Sequence, residues 1–572
     1  MNALIEQFDL IATSTGGIAK LRELILSLAV RGQLVPQNPG DEPASELLKK
    51  IRTEKNRLIA EGKIKRDKPL AEIGEDEKPH ELPVGWEWAR FGEVILASDA
   101  GWSPSCDSIP REGDRWGVLK VSAVTWGEFR PDENKALPDH LDPRPECEVQ
   151  AGDFLLSRAN TEELVARSVV AWNPPARLML SDKLIRLHLS GLIDKKLFCF
   201  INNSADSRPH YIANASGTSS SMKNVSREVI LTLPVPVPPA SEQSRIVAKV
   251  EELMALCDRL EAEQGHAARV QGHWVEAALD QLAESADADE FRRHWQHLAE
   301  HFDTLFTTPA SIERLNATLL QLAVRGKLAA QNPSDEPASE LLKQIRAEKD
   351  RLIAEGKIKR DKPLPPVTDA EKSYALPEGW EWVRLETIAD IGTGTTPSRA
   401  VPEYWNPGEI PWVASGETGN PFISATTESV STFALNDTSL RLYPVHTLVI
   451  ALYGQGKTRG QISELLIEAT TNQACAAIVP ILGDPEHKEY IKQYFRKMYE
   501  EIREEAAGGA QPNLNVGKIK SVLIPLPPLA EQSRIVAQVE KLLALTAELK
   551  TRLSAAQTKQ AHLAETLIAE VC

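Results

Sequence analysis

Two apolar patterns organise this chain, and each occurs twice. After Pro527-Pro528, apolar side chains fall at Ile535, Val539, Leu542, Leu549 and Leu553, in steps of four and three, with Thr546 in the vacant place. After Pro238-Pro239 the series is Ile246, Val250, Leu253, Cys257 and Leu260. This heptad seam predicts a helix behind each Pro-Pro pair, long enough for the two helices to pair. At ~1.5 Å per residue, about 30 residues make a rod of roughly 45 Å. The second pattern is a stripe at Leu47, Leu48, Ile51 and Leu58-Ile59. Asp41-Glu42-Pro43 predicts its start, with a capping carboxylate and an early proline, and Gly62 predicts its stop. The same holds from Asp335 to Gly356. Between the helical stretches, residues 89–235 and 383–524 carry Gly, Pro, Trp and short β-branched runs such as Thr447 to Leu452. They predict mixed α/β domains of short strands and long loops.

The repetition is literal. Leu28 to Lys68 returns 294 positions later as Leu322 to Lys362, with seven differences in 41 pairs. Leu82-Pro83-Val84-Gly85-Trp86-Glu87-Trp88 matches Leu376-Pro377-Glu378-Gly379-Trp380-Glu381-Trp382 at the same offset. Pro238 to Val247 matches Pro527 to Val536 at an offset of 289, so the second insert is five residues shorter. A duplicated frame around two unlike inserts predicts an internal two-fold relation carrying two different specificities.

Composition changes this picture little. With 42% hydrophobic and 26% charged residues, the chain reads as ordinary globular protein of about three to five domains. No apolar run reaches membrane-spanning length, and Met1-Asn2-Ala3-Leu4 does not open a signal peptide. Six scattered cysteines without a C-x-x-C pair point to a reducing cytoplasm. The net charge of −16 weighs against a protein that binds DNA alone, but local charge or a basic partner can answer phosphates. Lys63-Ile64-Lys65-Arg66-Asp67-Lys68, repeated at 357–362, is the most basic run; it reads as a solvated loop, with phosphate contact as the other option.

Candidate catalytic chemistry is sparse. Ala451-Leu452-Tyr453-Gly454-Gln455-Gly456-Lys457-Thr458 fits a relaxed phosphate loop, and a nucleotide-binding enzyme built on Gly454 to Thr458 is the rival reading. No apolar strand ending in a magnesium-binding carboxylate follows it, and Arg459-Gly460 begins a helix poorly. Asn173-Pro174-Pro175-Ala176 is similar to the motif of adenine methyltransferases but lacks the aromatic ring that stacks on a flipped base. His294, His297 and His301 sit at helical spacing on the acidic joining segment 272–310 and read as a surface helix, so no metal site is expected. No catalytic constellation emerges.

The duplicated arm, the two Leu-Pro-x-Gly-Trp-Glu-Trp entries and the two Pro-Pro-x-x-Glu-Gln-x-Arg-Ile-Val exits resemble, over nearly the whole chain, the DNA specificity subunit of type I restriction-modification systems. Gly392 to Arg399, Tyr404-Trp405, Ile410-Pro411-Trp412, Gly454 to Gly460 and Thr471 to Cys475 look like landmarks of a target recognition domain. Gly101 to Pro104, Gly117 to Val121, Gly152 to Asn160, Ser181 to Lys183 and Gly217 to Ser219 look equivalent in the first insert, which lacks the Tyr-Trp pair and the Gly-x-Gly-Lys-Thr loop. The resemblance implies an α+β fold: two mixed α/β target recognition domains joined by two long antiparallel helices, coiled-coil-like, with a pseudo-two-fold repeat. The expected parts are a helical arm at 1–81, domains at 82–238 and 376–527, a central helix and connector at 239–294, a second arm at 295–375 and a last helix at 528–572. It implies a reader and scaffold without catalysis of its own, partnered by double-stranded DNA, two methyltransferase subunits and restriction motor subunits. S-adenosylmethionine would belong to the methyltransferase, ATP and magnesium to the motor. A methylation-only defence system is a variant of the same reading.

Base edges in a major groove are read by Arg or Lys toward guanine and Asn or Gln toward adenine. The expected DNA-facing residues are therefore Trp102, Ser103, Lys120, Ser157, Arg158, Asn160, Lys183 and Lys223 in the first insert. In the second they are Thr396, Ser398, Arg399, Tyr404, Lys457, Thr458, Arg459, Asn472, Gln473 and Asn515. Arg158 and Arg399 lead for direct readout. Trp102, Trp126, Trp405 and Trp412 have two readings, a packed ring first and a DNA contact second, and Trp86, Trp88, Trp380 and Trp382 read as anchors of the domain entries. Helix pairing and the methyltransferase interface are expected at Ile246, Val250, Leu253, Leu260, Ile535, Val539, Leu542 and Leu549.

Overall fold

The stripe at Leu47, Leu48 and Ile51 buries one face of a helix, Ala44–Ala60, in the computed structural model of the chain, which describes residues 8, 10–217, 222–360, 362, 364–454, 458–507 and 514–571. The second copy is Ala338–Ala354. Gly62 stops the first copy as expected: at φ 71° its N–H reaches Ile59 O at 3.0 Å and the Lys63 N–H reaches Leu58 O at 2.9 Å. The expected cap is not what Asp41 provides. Pro43 takes the cap position without a side-chain bond. The Asp41 carboxylate instead holds Arg245 of the exit helix at 2.5 Å, and Asp335 holds Arg534 at 2.5 Å in the second copy.

By its internal contacts the chain divides into two units, residues 1–266 with 557–572, and residues 267–556. Each long helix, Ala240–Ala283 and Leu529–Val571, therefore starts in one unit and ends in the other. Among the described residues no helix is long and apolar enough to cross a membrane.

In the first unit, Ile246, Val250, Leu253 and Cys257 pack in one core with Leu21, Leu24, Ile25 and Leu28 of the arm helix Gly17–Val30. Leu260 is half-buried against the same core, and Ala564 at the far end of the other long helix is buried in it. In the second unit, Ile535, Val539 and Leu542, with Leu549 at the edge, share a core with Leu315, Leu319 and Leu322 of Pro309–Val324. Thr546, fully buried, fills the gap in its heptad by donating to Asn316 Oδ1 at 2.7 Å. The stripe thus seats the exit helix in its own unit's core beside the arm helix, and its fully buried members offer no surface to a partner.

Each insert enters and leaves through a two-stranded ribbon. Glu87–Arg90 pairs antiparallel with Pro234–Val237, and Glu381–Arg384 with Leu523–Leu526. The first tryptophan of each entry is locked onto the exit motif: Trp86 Nε1 donates to Glu242 Oε2 at 3.1 Å and Trp380 Nε1 to Glu531 Oε2 at 2.9 Å. The next residue of the motif also faces inward. Gln243 accepts from the Asp194 N–H, and Gln532 bonds His487.

The two inserts share one topology despite their unlike sequences. In the first, a sheet runs Ile95–Ala100, Leu184–Leu189, Asp153–Ser157, Ser168–Ala171, and a smaller one runs Asn134–Ala136, Gly117–Leu119, Leu178–Met179. In the second, Ala389–Thr393, Cys475–Pro480, Leu448–Ala451 and Ile462–Leu465 take the same order, beside Glu428–Val430, Ile410–Val413 and Thr470–Thr471. The parallel pair falls at the same place in both small sheets. A fifth strand, Phe422–Ile423, covers the sheet edge in the second insert. In the first, the Asn203 side chain does part of that work: it accepts from Ser168 N–H at 2.9 Å and donates to Ser168 O at 2.8 Å.

Candidate nucleic-acid interface

Strand register places the loops of each insert at one end of its larger sheet. Ala100 lies opposite Ile185, Ser157 opposite Leu184 and Leu156 opposite Ser168. The loops 101–116, 158–167 and 180–183 therefore leave from the same sheet end. In the second insert Thr393 faces Ala476, Ala451 faces Cys475 and Ile450 faces Ile462, which gathers 394–409, 452–454 with 458–461, and 472–474.

The loops are braced identically. A Cβ on Gly101 would sit 2.2 Å from Leu180 O, and one on Gly394 would sit 1.5 Å from Thr471 O, so only glycine lets the first and third loops touch. Next to that contact, Ser103 Oγ donates to Asp182 Oδ1 at 2.5 Å and accepts from the Asp182 N–H at 3.0 Å. Thr396 bonds Gln473 at the matching position. The second loop closes when Ala166 N–H reaches Ser157 O at 2.8 Å, and Gly460 N–H reaches Ala451 O at the same distance. Both closing residues have positive φ, 62° and 81°. The third loop receives Arg158 N–H at Lys183 O and Leu452 N–H at Ala474 O.

On this shared platform the side chains differ. Arg158, Ala159, Asn160 and Lys183 in the first insert stand where Leu452, Tyr453, Gly454 and Ala474 stand in the second. Arg158 and Lys183 are exposed and make no side-chain hydrogen bond or ion pair among the described residues. Tyr453 is half exposed; the sequence placed it in the Ala451 to Thr458 motif but not among the expected DNA-facing residues.

Several expected contacts are engaged elsewhere. Ser157 is fully buried and donates to Leu164 O at 2.9 Å, closing its own loop. Asn515 caps the helix Val516–Ser521 by accepting from Lys518 N–H, a role Ser226 fills in the first insert. Arg399, a leading expectation for readout, has its fork taken: its two terminal nitrogens lie 2.7 and 2.8 Å from the Glu428 carboxylate, and its guanidinium centre stacks 3.6 Å above the Trp405 ring. Tyr404 donates to Asp437 at 2.5 Å, and that bond holds its phenol above the ordinary range. Lys120 pairs with Glu133 at 3.5 Å, and Lys223 lies 3.6 Å from Glu162. Asn160 accepts from Thr161 N–H and donates to Thr125; Asn472 accepts from Ala474 N–H. Ser398 accepts from Ala400 N–H, and Thr458 and Arg459 are half-buried in the second loop. Lys457 lies outside the described residues. Trp412 is buried, Trp102 is half-buried under Arg144 at 4.4 Å, and Trp126 stands exposed, contrary to the packed role expected of it.

The phosphate-loop reading fails on geometry. From Thr458 the chain turns and enters the strand Ile462–Leu465, so among the described residues no helix begins directly after the loop, as nucleotide binding at such a motif requires.

Comparison with known proteins agrees with this architecture. Residues 377–556 match the family model of the type I restriction modification DNA specificity domain. The chain is 36% identical to the Escherichia coli type I restriction enzyme EcoEI specificity subunit, over 96% of this chain and 93% of that one. It is 34% identical to the E. coli EcoAI specificity subunit with the same coverage. Among solved structures, a chain from a study of assembly and conformational transition in the type I R-M system matches in fold, with a TM-score of 0.50 at 19% identity, covering 86% of this chain and 99% of that one. With more than a third of its residues shared along nearly its whole length, the chain belongs to the DNA specificity subunits of type I restriction enzymes.

Proposed function

We propose that each insert reads its own half of a split double-stranded DNA site with the three-loop end of its sheet, and that the chain itself catalyses nothing. The observation that carries this is the matched platform with unmatched side chains. A common scaffold docks both inserts on DNA in the same way, while Arg158 and Lys183 on one, and Tyr453 with the Thr396–Gln473 brace on the other, present different groups to base edges. Two modest half-sites on one chain make a specific whole through effective concentration.

The near-identical arms and exit helices would present the same surface to each of two methyltransferase subunits, and through them to restriction motor subunits. S-adenosylmethionine would then belong to the methyltransferase, and ATP with magnesium to the motor. The outward face of Ala44–Ala60, repeated in Ala338–Ala354, suits that role better than the buried heptad stripe does.

The test is a map of methylated adenines in cells carrying the methyltransferase with this chain or its Arg158→Ala variant. The wild type should give a two-part motif. The variant should relax one part only, by about 1–3 kcal/mol at the affected base pair. Loss that is uniform over all sequences would assign Arg158 to phosphate contact, and a single undivided motif would overturn the reading.

A further inference from the structure

The joining segment holds a cluster that the DNA-reading role does not use. Its helix Ala288–Glu300 is capped by Asp287, whose carboxylate accepts from the Asp289 and Glu290 N–H groups. Phe291 and Leu298 are buried, and Trp295 stacks on Phe291 with ring centres 6.0 Å apart. The exposed face ends in His297, Glu300 and His301, whose ligand atoms all lie within 4.8 Å of one another. The two imidazoles stand edge to face, 5.4 Å between centres, and apart from that ring contact none of the three side chains has a partner among the described residues.

We propose that His297, Glu300 and His301 form a zinc site. A histidine pair four apart on a helix projects both imidazoles to one side, and a glutamate one residue before the second adds an oxygen donor. Two nitrogens and a carboxylate are a zinc ligand set with one position left open, and imidazole selects against magnesium and calcium, which take oxygen. A tetrahedral zinc at about 2.0–2.2 Å from each donor holds its ligand atoms roughly 3.3 Å apart, so these exposed side chains would have to draw together by only about 1–2 Å. The place also favours a cation, because the last carbonyls of the helix form the negative end of its dipole. His301 is both the C-cap of this helix and the N-cap of the next, Phe302–Leu305, so a bound ion would tie the two together at their junction.

Tag-free full-length chain, stripped with chelator and dialysed against zinc alone, tests this. Wild type should retain one equivalent more than the His297→Ala/His301→Ala double variant, and His297→Ala alone should weaken retention on the order of 10-fold or more. Because all three residues are exposed, the variants keep the packed face intact, which circular dichroism verifies. Equal zinc retention by wild type and the double variant overturns the site, as does displacement of the ion by millimolar magnesium.

Discussion

Glu531 is nearly without solvent access, yet it carries a carboxylate. Burial pushes its pKa up, and donors from Trp380 and Gln331, at 2.9 and 2.6 Å, offset only part of that. Glu242 repeats the arrangement with Trp86. Replacing Trp380 by Phe keeps an aromatic ring, though a smaller one, and leaves a buried acceptor one donor short, which alone costs about 1–3 kcal/mol. Glu531→Gln keeps one oxygen for the indole and turns its amide N–H2 toward Gln331, whose own amide can flip to accept it, so urea unfolding should show a smaller loss for it than for Trp380→Phe. Equal losses would mean that the indole acts by volume alone. The sequence made both members of this pair visible, because each recurs in the frame, but it did not pair them across 151 positions. The surroundings of the candidate readout residues were less legible still. Arg399, Ser157 and Asn515 have the chemistry to meet a base, and each is committed to a neighbour, Glu428, Leu164 O or Lys518 N–H, that no local pattern announces.

Elements show the same division between what a pattern reports and what it omits. Heptad spacing located the buried face of each exit helix, but periodicity names the face and not its neighbour, and the neighbour here includes the arm helix of the same unit. The inserts' common topology was hidden because different contacts hold it. In the second insert, Glu464 on the strand Ile462–Leu465 meets Lys488 and Lys492, one turn apart on the helix Pro485–Ala507, and His446. Lys492 is buried and also lies 4.3 Å over the Phe422 ring, which pins the helix to the fifth strand. Burial pushes the Glu464 pKa up, but its hydrogen bonds outweigh that and bring it down to about 2 from 4.5. A depressed carboxylate contributes stability that is fully present above the unfolded value and lost as pH falls through the folded one. Glu464→Gln should therefore cost about 3 kcal/mol near neutral pH, because it leaves the buried Lys492 ammonium with Glu489 alone, at 3.3 Å. The gap to wild type should hold constant down to about pH 4.5 and close toward pH 2 as the native carboxyl protonates. A gap that stays unchanged through that window in chemical denaturation would remove the ion pair from the account.

At the scale of the whole molecule, the frame treats its two inserts as interchangeable parts. Both are bounded by four-residue ribbons of matching register, both are anchored by a tryptophan on the glutamate of the exit motif, and both seat their exit helix beside the same kind of arm. Among the described residues, the entry and exit of each insert are held by contacts within its own unit. Residues 91–233 should therefore be replaceable by 385–522, joined at the ribbon ends where Arg90 faces Pro234 and Arg384 faces Leu523. The helix stripe would still meet its arm, and Asp41 would still hold Arg245. If specificity resides in the inserts and assembly in the frame, a chain carrying the second insert twice should direct adenine methylation to sites in which one half of the wild-type motif occurs twice and the other is gone. Sequencing of methylated adenines reads this directly. An unchanged motif from a stably produced chain would place specificity in the frame; methylation without any motif would mean that the loops only hold DNA and that its sequence is read elsewhere.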